Sequence, residues 1–326
     1  MGVKLLKKRA LHYLILVALV VVVNFFIPRL LPGSPIGTLV GENAQDMTAA
    51  EKMGVLDAYH LNDPLPLQFA YYLRDLFTLN WGVSFSRRLP ITQLISSAAG
   101  WTLLFTCVSL VLYTLIGTLL GALSALRRRR GRDLPLVLGT TLAGSIPPFW
   151  IALLLLAVFG AQLGWLPTYG AYSMWQDYHG LARVLDVCRH LALPVLAMVV
   201  TSVLRYFTTA RYSVLSTMCA DYVRMARLRG VPQGRVTLFY VLRNALIPVF
   251  TMVMMDVGYL LSGSVLIEAV FSYPGLGTLM ANAVSARDYP LIQYSFLLSS
   301  LLTIAALFLA DLLYRRVDPA MEVDHA

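Results

Sequence analysis

Charge is what this chain has least of: 13% of its 326 residues are Asp, Glu, Lys or Arg, against roughly 25% in a typical soluble domain. So little charge does not cover a water-facing surface. The net +9 is not the mark of a nucleic-acid-binding domain either, because no aromatic-interleaved basic patch accompanies it. Cysteine is scarce, and Cys107, Cys188 and Cys219 lack CxxC spacing, so they read as packing residues rather than a zinc site or disulfide framework. His12, His60, His179, His190 and His325 do not cluster with cysteines or carboxylates at ligand spacing, and no metal centre is expected. There is no GxxxxGK[ST] phosphate loop, which excludes ATP chemistry in this chain and leaves no reason to read it as an enzyme. Internal repeats with broken helices in both halves are also lacking, which weighs against a stand-alone channel or secondary transporter.

What is present is apolar: 58% hydrophobic residues and a mean hydropathy of +0.69. Six runs have the length of about 20 residues that a membrane-spanning helix needs, at 10–31, 100–126, 134–163, 190–212, 245–268 and 291–314. An all-α polytopic membrane protein with six spans follows. The first run follows KKR as a signal peptide would, but it exceeds the h-region of about 7 to 15 residues and no clear small-x-small cleavage site follows, so it is kept as an uncleaved span. An even count puts both termini on one side. With segments 1–9, 127–133, 213–244 and 315–326 inside, the inner segments and inner span halves hold eighteen of the 26 basic residues. Segments 32–99, 164–189 and 269–290, with the outer span ends, hold eight, and this asymmetry assigns the termini to the cytoplasm. The RRRRGR run at 127–132 is on this reading a topology signal, in preference to a nuclear-localisation or RNA-binding tract.

The outer segment 32–99 is read as a small helical cap. Thr48 and Glu51 have the spacing of a capping box and open a helical pattern to about Tyr59; NDPLP breaks it before a second pattern, LQFAYYLRDLF. About 68 residues are too few to favour an independent binding lobe. Ionisable groups inside spans cost about 2.5 to 3.5 kcal/mol or more and need a partner or an interior face. Asp256 is the clearest. Either it lines a polar pathway that favours cations, with Tyr259 and Ser262 following on the same span, or it makes a helix–helix hydrogen bond. Glu268 and Asp311 lie near span ends and read as interfacial.

Between the fourth and fifth spans stands DYVRMARLRGVPQGRV. Gly230 and Pro232 divide it into helix, tight turn, helix: glycine takes a positive φ and proline suits the first turn of the next helix. Two readings are open, a lever continuous with two spans and a basic loop that satisfies the positive-inside rule.

These residues carry a resemblance. DYVRMARLRG followed by LRNALIPV resembles the coupling loop of ABC importer permeases of the peptide and nickel branch. RLLPGSP, HLNDPLPLQF, GSIPPFW, LGWLPTYG, LPV, IEAVFSYPGLG, RDYPLIQ and DLLYRRVDP resemble the same family in order. The resemblance implies the type I importer permease fold, and a permease subunit that pairs with a second permease, two cytoplasmic ABC ATPases holding ATP and Mg, and an extracytoplasmic substrate-binding protein. It implies peptide uptake, or alternatively nickel or metal-chelate uptake, across a bacterial inner membrane. It also implies that Asp221, Tyr222, Arg224, Ala226, Arg227, Arg229 and Gly230 dock on the ATPase, with Arg235, Arg243 and Asn244 behind them. The chain departs from the general importer motif in having Arg224, Met225 and Ala226 where Glu-Ala-Ala is usual, and from the peptide branch at Asn80-Trp81-Gly82 and Pro319-Ala320.

Overall fold

A computed structural model describes residues 3–30, 48–58, 60–128, 133–258, 260 and 265–317. Helix dominates them, and the one β-feature among the described residues is an isolated bridge, Val83 to Pro90. The helices are α1 (Val3–Leu30), α2 (Ala49–Ala58), α3 (Leu65–Phe77), α4 (Ile91–Arg127), α5 (Leu134–Ser145), α6 (Pro148–Gln162), α7 (Gly180–Met218), α8 (Asp221–Leu228), α9 (Gln233–Gly258), α10 (Val265–Val270), α11 (Leu276–Ala286) and α12 (Tyr289–Val317). Five carry stretches long and apolar enough to cross a membrane: Ala10–Leu30, α4, α7, α9 and Tyr289–Leu309.

Where the sequence reads one run over 134–163, the structure has two helices, α5 and α6, bent by 94°. Ile146, Pro147 and Pro148 cause the break. A proline clashes with a helical residue before it, and Ile146 and Pro147 accordingly take ψ of 132° and 140°. The pair makes a sixth crossing when counted as one span.

The chain divides into two compact units. The first comprises Met1–Trp101 and Gly275–Ile304. Its core is aromatic: the Phe25 ring meets Phe69 edge-on at 5.1 Å, and Trp81 stacks on Tyr294 at 5.2 Å. Arg29 lies 3.6 Å over the Phe25 ring and donates from Nε and Nη2 to Gln68 Oε1. Gln68 in turn donates to the carbonyls of Leu61 and Asp63 and ties down the turn before α3. The Thr48–Glu51 capping box forms, with Thr48 N donating to Glu51 Oε2 at 2.7 Å and Glu51 N to Thr48 Oγ1 at 3.3 Å. Those bonds hold the exposed Glu51 carboxyl below its ordinary range. Asp288, fully buried, accepts from Ser84 Oγ, Ser86 Oγ and Ser86 N and fixes the loop before α4.

The second unit comprises Thr102–Pro274 and Ala305–Ala326. α7 is its spine and packs on α5, α6 and α9. Gly117 and Gly121 of α4 form a small-xxx-small pair that lets the backbones of α4 and α7 touch: a Cβ on Gly117 would lie 2.6 Å from Tyr206 Cβ, and one on Gly121 2.4 Å from the Phe207 carbonyl. Gly144 of α5 meets Leu204 in the same way. Glu268, fully buried, accepts from Thr102 Oγ1 at 2.8 Å, so this carboxylate is interior rather than interfacial.

Candidate functional site: a coupling elbow and a buried ion pair

The basic insert folds as helix, turn, helix. α7 ends at Met218, Cys219 and Ala220 break the direction, and α8 runs over Asp221–Leu228. Gly230 closes α8 with φ +76°, a left-handed conformation that glycine adopts without a Cβ penalty. The turn is hydrogen-bonded, Gly230 N to the Arg227 carbonyl at 3.0 Å and Val231 N to that of Ala226 at 3.2 Å. Pro232 then precedes the first turn of α9, which runs through a π-helical stretch, Val236–Leu242, into the apolar part of the span.

One side of this elbow is sealed. Val223, Ala226, Val236, Val241 and Ala245 pack with Ala125 of α4 and Val214 of α7 into one buried cluster. A force on α8 is therefore delivered to the ends of three long helices through close-packed side chains. The other side is open: Asp221, Tyr222, Arg224, Met225, Leu228 and Arg229 are exposed, Leu228 at 73%. Arg227 is half-buried, and Arg235, Arg243 and Asn244 are exposed. Asn244 donates from Nδ2 to Tyr222 Oη at 3.2 Å and to the Tyr240 carbonyl at 3.0 Å, bracing α8 against α9. Nearby, Arg211 of α7 donates to Asp133 Oδ2 at 2.7 Å and to Ser124 Oγ at 3.0 Å. The guanidinium's hydrogen bond holds the Asp133 carboxyl below the usual carboxylate range. Arg129, Arg130 and Arg132 of the basic run lie outside the described residues.

Asp256, on α9, is buried, and its Oδ2 accepts three hydrogen bonds: from Tyr113 Oη of α4 at 3.0 Å, from Tyr206 Oη of α7 at 2.9 Å, and from Arg205 Nη2 of α7. Three helices thus converge on one carboxylate. Tyr259 and Ser262 lie outside the described residues. Arg205, Tyr113 and Tyr206 are the members that sequence reasoning missed. Arg205 reads as one more inner-side cation because its partner lies fifty-one positions away.

Residues 117–323 match the family described as the binding-protein-dependent transport system inner membrane component. The chain belongs to that family. Its relatives include the glutathione transport system permease protein GsiC of Salmonella typhimurium, 37% identical over 96% of this chain and 97% of that protein. A putative peptide permease protein of Brucella ovis is 36% identical over 94% and 95% of the two chains. The oligopeptide transport system permease protein AppB of Bacillus subtilis is 31% identical over 93% and 94%. The type I permease fold and the multi-pass membrane character expected from the sequence are those of this permease family. Its matched region takes in the elbow, the ion pair and all of α7 to α12.

Proposed function

We propose that this permease is one membrane subunit of an ATP-driven peptide importer, and that α8 is the segment through which it is driven. The observation that carries the reading is the two-sidedness of the elbow. A face sealed by Val223 and Ala226 is rooted in the spans, and the opposite face offers exposed arginines beside Tyr222, Met225 and Leu228. An exposed apolar patch rimmed by arginines suits a protein partner with acidic and apolar groups. That partner is a cytoplasmic ABC ATPase that binds ATP and Mg, working with a second such ATPase, a second permease and an extracytoplasmic binding protein. Both termini are cytoplasmic on this reading. The glutathione, peptide and oligopeptide permeases among the relatives favour a peptide over nickel or a metal chelate.

The test is reconstitution in vesicles with two ABC ATPases, a second permease and a substrate-binding protein. ATP-dependent accumulation of labelled di- and tripeptides, unaffected by excess nickel, is expected. Purification of the chain without ATPases, or ATP-independent flux, overturns the reading.

A further inference from the structure

The ion pair on Asp256 is lopsided. Asp256 is buried, its side chain 10% exposed, whereas that of Arg205 is 58% exposed. Asp256 stands eleven residues inside the start of its apolar run, 245–268, Tyr113 thirteen inside the end of 100–126, and Arg205 seven inside the end of 190–212. At 1.5 Å per residue these are roughly 10 to 20 Å from the ends of the apolar runs, which sets the cluster inside the span. An arginine at that depth does not turn an exposed guanidinium to lipid; it faces protein or a water-filled space.

Its neighbours on the helix are polar as well. At four and three residues before and three and four after it stand Thr201, Ser202, Thr208 and Thr209, all partly exposed, the positions that share one face of a helix with Arg205. Hydroxyls grouped around a cation make a polar stripe, where a lipid-facing stripe would be apolar. The guanidinium itself is only partly used. Nη2 donates to Asp256, and no other hydrogen bond from this side chain is made among the described residues. A planar fork held at one tip by a buried carboxylate, itself steadied by two tyrosines, presents its remaining N–H groups in a fixed direction.

We infer that Arg205 lines the translocation path and binds the carboxylate of the passing peptide, with Asp256 as the buried counter-ion that positions it. This inference rests on the peptide-importer reading. It also reverses the sign expected from Asp256 alone: the group offered to the path is the cation.

Two measurements test it in the reconstituted full complex, with assembled complex quantified for every variant. The first is uptake of a tripeptide with a free C-terminal carboxylate. Arg205→Gln is expected to lower it about tenfold or more, the loss of one charge-assisted hydrogen bond, and Arg205→Lys to restore a substantial part. The double variant Arg205→Gln with Asp256→Asn leaves no unpaired buried charge, so it separates a substrate contact from a counter-ion. Uptake that stays low in the double variant supports the inference, and recovery to near the parent level overturns it. The second is labelling of Arg205→Cys, made with Asp256→Asn and with Cys107, Cys188 and Cys219 changed to Ser. Reaction with a membrane-impermeant thiol reagent, slowed severalfold by peptide-loaded binding protein with ATP, is expected. A cysteine that stays unreactive in the assembled complex is covered by the second permease, and the inference falls. A parent complex that imports no peptide at all removes the underlying reading instead, and is seen before any variant is made.

Discussion

At the scale of single residues, the sharpest constraints are a glycine and a carboxylate. Gly230 has open space around it and φ of +76°, so a side chain there fails by backbone strain, not by collision. Gly230→Ala is expected to cost about 1 to 2 kcal/mol locally, and the β-branched Gly230→Val more. Uptake in the reconstituted complex should fall in the order Gly, Ala, Val, with the amount of inserted protein unchanged; equal uptake in all three would return the elbow to a passive basic loop. Asp256 is constrained by its partners. Tyr113→Phe removes one of three donors and should destabilise the chain by roughly 0.6 to 1.7 kcal/mol, the range of interhelical hydrogen bonds in membranes. Asp256→Leu strands two tyrosines and an arginine and should lower the yield of folded protein well below that of Tyr113→Phe. A melting temperature for Asp256→Leu no lower than for Tyr113→Phe would show that the ion pair adds nothing to packing.

At the scale of elements, the crossing of α4 and α7 decides whether the second unit closes at all. A leucine at Gly117 would be driven into Tyr206, whose Cβ lies 2.6 Å from where its own Cβ must go, and overpacking of this kind costs about 1 to 3 kcal/mol. Gly139 on α5 has nothing within 4 Å, so Gly139→Ala gains helix propensity of up to about 1 kcal/mol without obstruction. Thermal denaturation in detergent should therefore fall for Gly117→Leu and hold or rise for Gly139→Ala; the reverse order would mean that the two helices do not cross there. Hydropathy shows that helices exist but not where they stop. The apolar run at 100–126 belongs to a helix over Ile91–Arg127, and that at 190–212 to one over Gly180–Met218, because apolar character ends near the lipid boundary while the hydrogen-bonded ladder continues into water. The bend before α6 was written in GSIPPFW, yet hydropathy averages over it. The elbow was legible because Gly230 and Pro232 act locally. The Arg205–Asp256 pair was not, since contacts across fifty positions leave no local trace.

For the whole molecule, the decisive quantity is which side of the membrane each loop faces, and basic residues argue it. Eighteen of 26 fall on the side assigned to the cytoplasm, and the elbow can meet an ATPase only if that assignment is right. Lys52, on α2, is partly exposed, and Arg87, in the loop before α4, and Arg235, at the start of α9, are exposed. Single cysteines at these positions, in a background with Cys107, Cys188 and Cys219 changed to Ser, are accessible without disturbing any buried contact described above. Positions 52 and 87 should react with a membrane-impermeant maleimide in intact cells, and position 235 only after permeabilisation. An added elbow cysteine at Met225, half exposed on α8, should follow position 235 and then lose reactivity when the ATPases are co-expressed, because docking covers that face. Labelling of position 235 in intact cells would invert the topology and separate the elbow from its driver. Retained reactivity at 225 in the full complex would leave the topology intact and move the ATPase contact elsewhere.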